Sequence, residues 1–128
     1  MKRILLTMLS AMVVFVLVAC SGNKVDDLTS KKYITKAEEI VSLLNKGKYK
    51  EVHAMFDNQM KTGLPEEQMT KLTPIIKESG NFEEIDKSSV EEKDGLYIVI
   101  LVAKYSKENR VFTLSFNNKE EVAGLFIK

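Results

Sequence analysis

The chain has 128 residues, with 19 Lys and Arg against 18 Asp and Glu, and this length fits one compact domain rather than two. The near-neutral charge argues against a nucleic-acid binder, which needs a basic surface. One cysteine excludes an intramolecular disulfide, and one cysteine with one histidine cannot build a zinc site of the usual ligand types, so we expect no metal or other cofactor.

The start of the chain has the pattern of a secretion signal. Lys2 and Arg3 provide a short positive segment, and residues 4–19 form an apolar stretch interrupted only by Thr7 and Ser10. This stretch is shorter than the roughly 20 residues that an ordinary membrane-spanning helix needs. The pattern therefore predicts a signal peptide over residues 1–19.

The signal ends in Leu17-Val18-Ala19-Cys20, which resembles the lipobox of bacterial lipoproteins. This resemblance implies that Cys20 receives a diacylglyceryl group and becomes the first residue of the mature chain. Two acyl chains give the stable attachment that a single chain does not. We therefore expect a protein that is lipid-anchored on the extracytoplasmic face of the cell membrane. A cleaved signal with an incidental cysteine and an uncleaved anchor are the alternatives.

Residues 20–32 are predicted to be a flexible tether, because only Val25 and Leu28 interrupt their polar composition. Ser21, which follows the lipidation residue, does not distinguish a Gram-positive cell surface from an outer-membrane destination. The folded domain is then predicted over residues 33–128.

Three helices are predicted in the first half of this domain. Thr35 and Glu38 have the spacing of a capping box, and apolar residues recur at helical intervals from there to Asn45. After Gly47 a shorter helix is predicted, whose one face carries Tyr49, Val52, His53 and Phe56.

The third helix is predicted from Pro65, which suits a first helical position, to Gly80, which suits a helix end. Pro74 is expected to kink this helix, because proline lacks the backbone N–H that the helix interior uses.

Four strands are predicted after Gly80, over residues 82–90, 96–105, 110–117 and 121–127. Asp94-Gly95 is typical of a two-residue hairpin turn, and Gly124 predicts a bulge or bend in the last strand. Helices followed by an antiparallel meander define an α+β fold. We expect three helices packed on one face of a curved four-stranded sheet, in a cone-like roll.

The strand over residues 96–105 is apolar on both faces, so a single helix layer leaves one face uncovered. We expect the uncovered face to carry Tyr97, Val99 and Leu101 and to be buried in a homodimer.

The domain resembles domain of unknown function 3887. The resemblance rests on packing and turn positions, namely Leu44, Gly47, Tyr49, Val52, Met55, Phe56, Asp57, Met60, Leu64, Pro65, Met69, Gly80, Phe82 and residues 122–125. It implies a lipoprotein or secreted protein of Firmicutes with the α+β roll of the nuclear transport factor 2-like, or cystatin-like, superfamily. Some members continue into an α/β hydrolase and this chain ends at Lys128 without one, so the resemblance implies no enzymatic residues.

Two groups of side chains are candidates for a functional site. His53 and Asp57 are four residues apart and could meet on one helix face as an oriented base; the alternative is a partly exposed histidine and an aspartate that caps the next turn. Tyr49, Tyr97 and Tyr105 could line a cavity and bind a ligand, or they could pack in the core.

Two functions follow from these patterns. The first is a membrane-anchored, non-enzymatic module that binds a small molecule or a protein partner. The alternative is a small lyase or isomerase that uses His53 and Asp57 as an acid–base pair inside the cavity of the roll.

Overall fold

The structure, a computed structural model, describes residues 23–128. The predicted signal peptide and the lipidation residue Cys20 lie outside the described residues. The fold is α+β: one long helix and four short ones precede four antiparallel strands in meander order, and a two-residue strand is added at one edge. The helices are α1 (Asp27–Asn45), α2 (Tyr49–Ala54), α3 (Asn58–Gly63), α4 (Glu66–Met69) and α5 (Leu72–Glu78). The strands are β1 (Asn23–Lys24), β2 (Phe82–Lys93), β3 (Leu96–Tyr105), β4 (Asn109–Phe116) and β5 (Val122–Ile127).

Helix α1 begins earlier than the capping-box spacing predicts. Its N-cap is Asp26, whose carboxylate accepts a hydrogen bond from the backbone N–H of Thr29 at 3.1 Å. Thr35 lies inside the helix, where its hydroxyl donates to the carbonyl oxygen of Lys31 at 2.8 Å. Residues 27–32, which we assigned to the flexible tether from their composition, are therefore helical. Regular structure that packs with the domain is therefore present before Tyr33, in β1 and in the first turns of α1.

The kinked third helix that the sequence predicts is two short helices, α4 and α5. Pro74 lies in the first turn of α5. Backbone N–H groups in the first turn make no hydrogen bond within the helix, so proline, which lacks this group, is tolerated there. A helix that continued from α4 would press the proline ring against the carbonyl group of Thr70, four residues earlier. The chain instead ends α4 at Met69, with Thr70 as its C-cap, and begins α5 after Lys71. The count of three helices is wrong for this reason and because α3 was not predicted.

The sheet agrees closely with the sequence pattern. Strand β3 has the predicted bounds, and the turn before it has positive φ angles at Asp94 (53°) and Gly95 (78°), as a two-residue hairpin requires. The register between β4 and β5 shifts where Ser115 lies opposite Gly124, which confirms the predicted bulge. Consecutive strands pair antiparallel throughout.

The helices pack on the face of the sheet that holds the core. Val99, Leu101, Phe112 and Leu114 are completely buried on this face, together with the inward side of α1. The prediction that Tyr97, Val99 and Leu101 lie on the uncovered face of the sheet is therefore wrong. Both faces of β3 are apolar, so the alternation of side chains does not reveal which face the helices cover.

The opposite face of the sheet, which we call the open face, carries Ile98, Ile100 and Val102 of β3 and Phe126 of β5. The side chains of β3 on this face are partly exposed, and Phe126 is 64% exposed. No helix in the described part of the chain has the length and apolar character that a bilayer crossing requires.

The two faces should respond differently to the same substitution. We expect Phe112→Ala to lower the free energy of unfolding by about 3–5 kcal/mol, because it leaves a cavity in a closely packed core. The matched change Phe126→Ala should alter it by less than about 0.5 kcal/mol, because the ring is largely exposed. Urea unfolding of the two variants checks this, and equal losses would contradict the assignment of the faces.

Candidate functional site

A groove of about 510 Å³ lies between helix α1 and the start of strand β2. Its volume is within the range of small-molecule sites. Two shifts in the register between β2 and β3 fall beside it, and such bulges bend the strand that carries them. One wall is provided by α1 and its C-cap residue, the other by β2; the lining residues are Glu38, Ser42, Asn45, Lys46, Phe82, Glu84 and Ile85.

The lining combines apolar and charged groups. Phe82 is 43% exposed, and its ring meets the ring of Tyr105 edge to face at 5.5 Å between centroids. Glu38 and Glu84 contribute carboxylates from the two walls, against the single ammonium group of Lys46. The groove can therefore bind the apolar part of a ligand against Phe82 and a polar or cationic part beside the carboxylates.

A buried polar pair lies at one end of the groove. The hydroxyl of Tyr105 donates a hydrogen bond to Oδ1 of Asn45. The Nδ2 atom of Asn45 is buried and has no hydrogen-bond partner among the described residues. Turning the amide over would exchange the two ends and would still leave one of them unpaired. Burial raises the pKa of the Tyr105 hydroxyl, although its hydrogen bond with Asn45 acts in the other direction.

Asn45 also borders a second groove, of about 240 Å³, on the other side of the end of α1. Tyr49 lies in this groove, where its hydroxyl makes a short hydrogen bond with the hydroxyl of Thr73. Tyr105 and Tyr49, two of the three candidate tyrosines, are therefore both close to Asn45. Tyr105 is hydrogen-bonded to Asn45, and Tyr49 lines the same second groove as Asn45.

The third candidate, Tyr97, lies elsewhere. Its ring stacks on the ring of Tyr33 in α1, with 4.5 Å between centroids and 17° between planes. Tyr105 lies eight positions after Tyr97 in β3, which corresponds to about 26 Å at the rise of an extended strand. The structure therefore does not bring the three tyrosines into one site, and Tyr97 packs against the core as the simpler interpretation expects.

No hydrogen bond joins the side chains of His53 and Asp57 in this structure. Asp57 is the N-cap of α3, and its Oδ1 accepts from the backbone N–H of Met60 at 2.8 Å. The ring of His53 lies 5.4 Å from the ring of Phe56, and its Nε2 atom is buried without a partner among the described residues. The interpretation of Asp57 as a cap is confirmed, and no hydrogen bond orients His53 through it.

Sequence reasoning missed Asn45, which it treated only as the end of a helix. A signal was present, since Glu38, Ser42 and Asn45 follow one another at i, i+4 and i+7 and so form a polar stripe beside the apolar stripe of α1. A metal site has no comparable support, because residues 23–128 contain no group of three or more His, Cys, Asp or Glu that could hold an ion.

Fold and groove together define a small α+β domain with a ligand-sized cleft beside its first long helix. The chain belongs to the family described as protein of unknown function (DUF3887), whose sequence profile matches residues 37–125. This match runs from the middle of α1 to β5 and includes both Asn45 and Tyr105. No curated protein and no solved structure matches the chain.

Removing the Tyr105 hydroxyl should cost stability in a pH-dependent way. We expect Tyr105→Phe to lower the free energy of unfolding at neutral pH by about 1–3 kcal/mol, because it leaves the buried Asn45 amide unpaired. The folded-state pKa of Tyr105 is raised. The contribution of Tyr105 to the free energy of unfolding is therefore complete below the unfolded-state pKa of about 10 and is lost as the pH rises further.

Urea unfolding at neutral and at alkaline pH measures both effects. Tyr49→Phe, which removes a half-buried hydroxyl at the neighbouring groove, is the matched control. A Tyr105→Phe variant that keeps the wild-type stability and the wild-type loss of stability at alkaline pH would contradict the interpretation.

Proposed function

We propose that this protein is a membrane-anchored bacterial lipoprotein whose domain binds a small molecule and does not catalyse a reaction. The observation that carries the proposal is the groove between α1 and β2, at whose end a buried amide group of Asn45 lacks one hydrogen-bond partner. An unpaired buried polar group costs about 1–3 kcal/mol. A ligand recovers this energy only if its binding exposes the Nδ2 atom, which is closed to solvent in the free protein, and the groove then favours ligands with a polar group beside Asn45.

The chemistry of the lining narrows the class of ligand. Phe82 and Ile85 offer apolar contact on the β2 wall, while Glu38 and Glu84 make the groove more negative than positive. These groups suit a small amphiphilic molecule with an apolar part and a hydrogen-bonding, neutral or cationic part. The Ser42 hydroxyl offers a further donor or acceptor on the α1 wall.

Binding is favoured over catalysis by the positions of the two candidate catalytic residues. Asp57 uses its carboxylate to cap α3, and His53 packs against Phe56 rather than lining the groove. A lyase or isomerase would need a base that is oriented toward its substrate.

The anchor and the superfamily belong to the same proposal. The tetrapeptide at residues 17–20 supports lipidation of Cys20, which would hold the domain at the extracytoplasmic face of a cell membrane. Membership of the DUF3887 family and helices on one face of a bulged antiparallel sheet support the nuclear transport factor 2-like roll. In such a roll the ligand would enter between helix and sheet, where the groove lies.

Native mass spectrometry tests the ligand site. The full chain, extracted from bacterial membranes in mild detergent, should carry a discrete added mass beyond its acyl groups. Asn45→Leu should lose this mass, because it removes the polar group at the end of the groove while keeping a similar volume. Thr73→Val, in the second groove, should retain it. An added mass that survives Asn45→Leu, or a wild-type chain without one, would contradict the assignment.

Lipidation is tested by Cys20→Ala. The variant should accumulate with its signal still attached and without acyl mass, because the thiol is the acceptor that the lipobox resemblance implies. Intact-mass spectrometry of the membrane fraction measures both changes. Normal processing and membrane retention of Cys20→Ala would argue against the anchor and would leave the groove untouched.

A further inference from the structure

We propose that the open face of the sheet docks onto the surface of an anionic phospholipid bilayer. The apolar centre of this face is formed by Ile98, Ile100, Val102 and the protruding Phe126. Such a surface needs a partner or an interface in which its apolar groups leave water. Two features point to a lipid surface as that partner: the charge of the residues around the apolar centre, and the short distance along the chain from Cys20 to the sheet.

Lysines surround the apolar centre. Paired residues of neighbouring strands share a face of the sheet. Lys87 is paired with Val102, and Lys93 is paired with Leu96. Lys24 is paired with Glu91, and Glu91 is paired with Ile98, so Lys24 lies on the same face. Lys128 joins the same face, because its backbone exchanges two hydrogen bonds, of 2.9 and 3.0 Å, with Val111. Lys104 of β3 lies on this face as well, paired with Glu84, so five lysines and two acids flank the apolar residues.

The rest of the described chain has the opposite balance, with more acids than bases. Acids near the sheet, such as Glu84 opposite Lys104 and Glu121 after β4, lie toward the ends of the strands. The N-terminus of α1, on the helix side, carries Asp26 and Asp27. An anionic lipid surface therefore attracts the open face, whereas Asp26 and Asp27 at the start of α1 are balanced by Lys31 and Lys32.

The distance from the lipidation residue agrees with this orientation. Lys24 in β1 is four residues after Cys20, and four extended residues span at most about 14 Å. β1 is the edge strand of the sheet, next to Glu91 and Glu92 in β2. If Cys20 is acylated, as proposed above, this edge is held close to the lipid headgroups, and the adjoining open face can reach them without any rearrangement of the fold.

A second copy of the chain suits this face less well. A two-fold contact between two open faces would place like-charged lysine clusters opposite each other. A bilayer that contains phosphatidylglycerol offers negative headgroups to the lysines and an apolar layer to Phe126. Association of two copies through their open faces is therefore the competing outcome of the test.

The full lipidated chain can be labelled at a single site, because Cys20 is its only cysteine and its thiol would be blocked by the lipid. An environment-sensitive fluorophore is placed on Phe126→Cys or, as a control, on Leu28→Cys. Leu28 is 83% exposed on α1, near the chain start but on the helix layer. Both proteins are incorporated into vesicles containing phosphatidylglycerol and into vesicles of phosphatidylcholine alone.

We expect the fluorophore at position 126 to shift its emission to the blue and to be quenched by spin-labelled lipids several-fold more strongly on the phosphatidylglycerol vesicles. The fluorophore at position 28 should stay in water on both. Adding Lys87→Glu and Lys128→Glu to the position-126 protein should remove the quenching, while the anchored chain still floats with the vesicles.

The outcomes separate the docking surface from the anchor. A chain that floats with the vesicles but keeps position 126 in water overturns the docking surface and leaves the anchor intact. Absence of acyl mass and failure to float contradict the anchor instead. An emission shift that appears in detergent without lipid and grows with protein concentration would assign the open face to a second copy and overturn the membrane proposal.

Discussion

The packing of α1 on the covered face of the sheet is the contact on which the rest of the structure depends. Five residues of this helix are almost completely buried there: Tyr33, Ala37, Ile40, Val41 and Leu44. Because the helix crosses the sheet with this apolar stripe inward, its neighbouring polar stripe faces the start of β2. The same helix therefore closes the hydrophobic core and supplies one wall of the groove.

This arrangement also explains why the two faces of one sheet differ in chemistry. A single helix layer buries one side of β3 completely and leaves the apolar residues of the other side partly exposed. An antiparallel sheet with a solvated face normally alternates apolar and polar side chains. Strand β3 departs from that rule, and its apolar surface on the open face lies between lysines and outside the hydrophobic core.

Local signals in the sequence predicted the sheet well and the helices less well. The bounds of β3, the turn at Asp94 and the bulge at Gly124 depend on backbone preferences of nearby residues. The choice of covered face depends on contacts between distant residues, such as the stacking of Tyr33 on Tyr97. The start of α1 has a local cap, Asp26, which the capping-box spacing at Thr35 obscured. The same applies to the site: Asp57 as a cap follows from local pattern, whereas the partnership of Asn45 with Tyr105 joins residues 60 positions apart.

The irregular outer edge of β2 has a consequence for how the molecule behaves among its own copies. A long straight edge strand invites another chain to extend the sheet through backbone hydrogen bonds. Here the register shifts twice between Phe82 and Lys87, and β1 covers the far end of β2. The charged side chains of Glu83, Glu84 and Asp86 are exposed along this edge. Edge-to-edge growth into fibrils is thereby hindered. The sheet therefore has a broad apolar face whose β2 edge is a poor template for aggregation.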